Sequence, residues 1–94
     1  MSSHKVRRTA YLSHLSTAIN KLKSAITEKA SEETVTVYLE QVNLKFLRVE
    51  TATDIIQEDI EDEDELTADI DKMNEVENVV TELRVRTKNY IKKA

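Results

Sequence analysis

The chain has 94 residues, with no glycine, proline or cysteine, and 14 basic against 18 acidic side chains give a formal net charge of −4. That length allows one domain at most, and the missing turn residues argue against a β-rich fold and against glycine-rich phosphate loops. Without cysteine there is no disulfide framework and no thiolate metal site, and no apolar run has the length of a membrane span. No secretory h-region follows Met1, so the expectation is a soluble intracellular, cytoplasmic protein with no membrane contact.

A first helix is expected over about residues 4–29. Tyr11, Leu12, Leu15, Ala18, Ile19, Leu22, Ala25 and Ile26 form a continuous stripe about 140° wide, enough to meet two neighbouring helices. Its first turn carries Lys5, Arg7 and Arg8, which oppose the helix dipole and require compensation from elsewhere. Ser31 followed by Glu32 and Glu33 reads as an N-cap with acids in the first turn. A second helix is therefore expected over about residues 32–61, although Thr34, Val35, Thr36 and Val37 alone would favour a strand. The three-and-four spacing of Val35, Leu39, Val42, Phe46, Val49, Ile56 and Ile60, with Thr53 in the remaining slot, outweighs that local preference.

This helix is apolar on two sides. At about 100° per residue, Val37, Leu44 and Ile55 fall half a turn from the main stripe, flanked by Leu47 and Thr51. Either the helix lies between its two neighbours in a flat array, or Val37, Leu44, Leu47, Thr51 and Ile55 form a protein-interaction surface.

Glu58 to Glu65 is almost wholly acidic, which disfavours a helix C-terminus and favours an N-terminus. Asp62 with Glu65 three residues later fits a capping box, so a third helix is expected over about residues 64–92. Its stripe is Leu66, Ile70, Met73, Val76, Val79, Val80, Leu83, Tyr90 and Ile91. Charge is sorted along the chain: six cations against one acid in residues 1–30, three against sixteen in 31–77, and five against one in 78–94.

The whole predicts a single all-α domain over 1–94, an elongated antiparallel three-helix bundle or array running up, down and up with coiled-coil-like packing. Such a path places the basic start of helix one beside the acidic turn at 58–65, and the basic end of helix three beside Glu32 and Glu33. The alternative is a chain of fewer, longer helices that dimerises as a coiled coil.

No constellation points to chemistry. His4 and His14 do not have a ligand spacing, the acidic run lacks the glycine and ligand order of a calcium loop, and no nucleophile can be placed with a base. The expectation is a non-enzymatic module with no catalytic residues, no cofactor and no metal. The basic termini are read as answering acids within the bundle rather than as binding nucleic acid, which overall negative charge also disfavours.

Three stretches, "KVRRTAYLSHLSTAINKLKSAI", "YLEQVNLKFLRVETATDIIQEDI" and "DEDELTADIDKMNEVENVVTELRVRTKNYI", carry a resemblance. In helical pattern they look like the N-terminal helical region of Gag-like polyproteins of BEL/Pao-type retrotransposons. The resemblance implies a homo-oligomerising assembly module ahead of a capsid part, and assigns no functional residue. The other reading is a coiled-coil adaptor that docks a different helical protein on the same second face.

Overall fold

The computed structural model describes residues 3–93, in three α-helices: α1 (Ser3–Thr27), α2 (Glu32–Glu58) and α3 (Glu63–Lys93). They pack antiparallel in sequence order, so the expected all-α, up-down-up architecture is the one found. The molecule is 49 Å in its longest direction, set by α3, whose 31 residues span about 46 Å at about 1.5 Å per residue. The α1–α2 pairing is the most extensive and the α1–α3 contact the thinnest.

The core is narrow and built mainly from small aliphatic side chains. Leu15, Ile19, Leu22 and Ile26 of α1 meet Val35, Val42, Phe46 and Val49 of α2, and Val80 and Leu83 of α3 close the cluster. Val35 is fully buried, which is why the β-branched run around it is helical: tertiary burial overrides local propensity. Ser31 caps α2 as expected, its hydroxyl accepting from the Thr34 amide at 3.2 Å.

The first turn holds a feature that the sequence did not announce. The Ala30 amide donates to the Ala25 carbonyl and the Lys29 amide to that of Ile26, the two bonds of a Schellman motif. Its left-handed position is Lys29, at φ 59°, where glycine is the usual occupant. Ala30 packs on the core, and the Tyr90 hydroxyl donates to its carbonyl at 2.6 Å, so α3 locks the turn from outside. α1 accordingly ends at Thr27, two residues earlier than expected.

Three other expectations need correction. α2 stops at Glu58, leaving Ile60 outside the helix, consistent with acids being unfavourable at a C-terminus. Asp62 does cap α3, its carboxylate accepting from the Asp64 amide at 3.0 Å, but no reciprocal Glu65 bond forms among the described residues. On α3 the inward register is Leu66, Asp69, Met73, Val76, Val80, Leu83, Thr87 and Tyr90, a strict alternation of three and four. Ile70 and Val79, read as part of that stripe, are exposed, and Thr87 is fully buried with its hydroxyl satisfied by the Leu83 carbonyl.

Asp69 occupies an inward slot because it answers Arg8. The guanidinium donates twice to the carboxylate, at 2.6 and 2.9 Å, and weakly to Thr53 Oγ1 at 3.4 Å. Gln57 Nε2 adds a third donor to Asp69 at 3.0 Å. One polar cluster thus joins all three helices at the end of the bundle where α1 begins. Among the described residues this is the one ion pair: it joins the basic start of α1 to Asp69, beyond the acidic turn at 58–65, and none forms between the basic end of α3 and Glu32 or Glu33. The Arg8 hydrogen bonds hold the Asp69 carboxyl below its ordinary value, opposed by burial and helped by Gln57 and by the charges of Arg8 and Lys72.

Two predictions follow from these contacts. Lys29→Gly should relieve the left-handed strain and stabilise by about 1 kcal/mol, raising the thermal midpoint by about 4–8 °C; an unchanged midpoint in calorimetry contradicts it. Asp69→Asn should cost about 3 kcal/mol in denaturant titrations, because it leaves Arg8 buried without its counter-charge. Since the native carboxyl titrates below its unfolded value near 3.9, its contribution is complete above about pH 4 and is lost as pH falls through the native value. The acid-side fall in wild-type stability should therefore be shallower in the Asp69→Asn variant.

Candidate association surface

Helical phase decides what α2 shows to the outside. With Val35, Val42, Phe46, Val49 and Ile56 turned into the core, residues about half a turn away must point outward. Val37 is 45% exposed, Leu44 55% and Leu47 58%; Thr51 is exposed and Ile55 half-buried. α1 partly covers the stripe at Ile55, and Val37, Leu44 and Leu47 are left open. Although α2 makes the main contacts with both neighbours, this stripe is not hidden inside the chain.

The five residues are not all brought into one feature. Leu47, Thr51 and Ile55 line a depression of about 290 Å³ together with His4, Arg7 and Tyr11 of α1 and Arg48 and Ala52 of α2. Val37 and Leu44 stand outside it, farther along the same side of α2. Tyr11, assigned from sequence to the α1 core stripe, is half-buried at this edge.

That depression is the first of three along the α1–α2 seam, none of them lined by α3. The next, about 400 Å³, is bounded by His14, Thr17, Ala18 and Lys21 on one side and by Tyr38, Gln41 and Lys45 on the other. The last, about 530 Å³, runs from Thr17 and Lys21 past Ser24 and Ala25 to Glu28, Ala30 and Thr34. The result is an open furrow with an apolar floor and tyrosines at two levels. Its walls carry Arg7, Lys21, Lys45 and Arg48 and a single acid, Glu28. Gln41 and Arg48 share the helical phase of Val37 and Leu44, so stripe and furrow are parts of one surface.

The seam between α2 and α3 has the opposite sign. Its depression, about 210 Å³, is lined by Glu50, Asp54 and Glu77 with no cation, beside Ile70 and Met73. Farther along, Arg84 lies over the Phe46 ring with its guanidinium carbon 5.7 Å from the centroid, and its Nε donates to Asn43 at 2.8 Å. That closes this seam with a cation–π contact.

Sequence reading found the α2 stripe but not the α1 wall opposite it. The spacing of His4 and His14 speaks only against a metal pair, and Lys21 enters only the charge of residues 1–30. The usable signal was phase: the cations of the middle of the hairpin lie beside the second apolar face rather than opposite it.

Every buried side-chain nitrogen or oxygen among the described residues has a hydrogen-bond partner, so no orphaned group asks for a ligand. No group of three or more histidines or carboxylates among them could hold a metal ion, and no described helix is long and apolar enough to cross a membrane. No protein-family model, curated protein or solved structure matches the chain.

The two faces of α2 should respond differently to substitution. Phe46→Ala should cost about 3–5 kcal/mol by loss of burial and cavity formation. Leu47→Ser, at a protein concentration where the chain is monomeric, should stay within about 0.5 kcal/mol of wild type. Equal losses in urea titrations would mean that Leu47 is covered within the monomer.

Proposed function

We propose that this chain is a non-enzymatic helical association module, and that it self-associates through the outward face of α2. The observation that carries the reading is the exposure of Leu44 and Leu47, both more than half accessible at mid-helix, directly behind a fully formed core. Two large apolar side chains side by side and more than half exposed are a cost in water that association removes. The expected surface is Val37, Leu44, Leu47, Thr51 and Ile55.

A Gag-like assembly domain is the setting that the resemblance in helical pattern implies. In that setting repeated weak contacts between identical domains are the function, and no reaction is required of them. An adaptor that seats a helix of a different protein on the same face is the second reading, and the open furrow beside the stripe is what favours it.

Solution mass by light scattering, over a wide concentration range, tests the leading reading on wild type and Leu44→Glu together. Concentration-dependent mass in wild type and a folded monomer in the variant are expected. A wild-type monomer throughout, whose mass rises only when a helical partner is added, favours the adaptor. A variant that loses its helical circular dichroism would place Leu44 in the monomer core and remove the basis of both.

A further inference from the structure

The furrow between α1 and α2 leaves room for one more helix, and charge identifies which helix this chain can offer. Its α2 wall runs from Thr34 to Ile55, about 32 Å of helix, and its free charges are positive save for Glu28. On α3, turned away from the core, Asp64, Asp71, Glu75 and Glu82 are all exposed. At about 100° per residue they fall within about 40° of one another, and they span about 27 Å. The molecule thus carries a cationic furrow on one side and an acidic ridge of similar length on another.

We propose that the α3 ridge of a second copy is the occupant of the α1–α2 furrow. The proposal deepens the self-association reading and rests on it. In the complex Arg7, Lys21, Lys45 and Arg48 face the ridge carboxylates, the small residue Ala68 lets the backbone approach, and the added helix covers Val37 and Leu44. The two surfaces are different patches of one chain, so the contact is head-to-tail. In each pair one copy keeps its furrow free and the other its ridge, so assembly propagates beyond a dimer into open chains or rings.

Charge reversal on each surface separately tests this. The furrow variant is Lys21→Glu, Lys45→Glu and Arg48→Glu; the ridge variant is Asp71→Lys, Glu75→Lys and Glu82→Lys. Both sets lie outside the buried core, and helical circular dichroism checks that each folds. Wild-type mass should pass beyond a dimer with concentration, and association should weaken at least about tenfold between about 50 and about 500 mM salt. Each variant alone should be monomeric, because like charges then meet. An equimolar mixture should reassemble, since each variant's furrow now matches the other's ridge.

A mixture that stays monomeric overturns the proposal, as do variants that associate like wild type. If Leu44→Glu dissociates the wild-type assembly while neither charge variant alters it, the self-association reading stands and this pairing falls. A wild type that is monomeric at every concentration removes both.

Discussion

The fold turns on the ion pair between Arg8 and Asp69. It is the point where all three helices meet through polar atoms, with Thr53 and Gln57 of α2 completing the cluster. Pairs that are nearly buried, here with side chains 9% and 12% exposed, add little net energy because desolvation consumes most of the attraction. What they do is penalise every arrangement that leaves either charge alone. A bundle of valines, alanines and leucines could accept several registers of α3. A register that moves Asp69 by one turn strands a guanidinium inside the bundle. Tyr90 on the Ala30 carbonyl fixes the other end, so α3 is placed by polar contacts at its two ends and by apolar ones between.

Most of the architecture was legible because helix periodicity is set by the backbone and survives any tertiary context. The α1 stripe, the Ser31 cap and the main stripe of α2 all follow from spacing alone. Illegible were the features in which a residue takes a role against its type. Lys29 in a left-handed turn is one, since only the docking of Ala30 and Tyr90 makes that conformation affordable. Asp69 is another: a count of apolar residues passes over an acid at a core position and recruits its neighbour Ile70 instead. Three polar residues, Arg8, Thr53 and Asp69, interrupt the three stripes at one level of the bundle. That coincidence is the signal, and it becomes visible only once the helices are aligned.

The second face of α2 was legible as a pattern, and the structure places it outside rather than between helices. Its cationic surroundings were not, because they depend on which side of α1 faces the seam. Charge sorting along the chain turns out to work at two levels. Part of it is consumed inside the bundle, by Arg8 and Asp69. The remainder stays on opposite faces, where it is available to another molecule.

The unequal packing of the three helices divides the molecule into parts of unequal persistence. α1 and α2 share the larger interface and the Schellman turn, so most of the apolar packing lies within that hairpin. The N-terminal half of α3 offers only half-buried Leu66, Met73 and Val76 to that hairpin, whereas Val80, Leu83 and Thr87 beyond it are fully enclosed. The apolar grip on α3 is therefore weakest where the helix begins, beside the Arg8–Asp69 pair, and strongest toward Tyr90. The connection at residues 59–62 is short, so chain linkage and the Arg8–Asp69 pair together hold that end of α3 where its apolar packing is thinner.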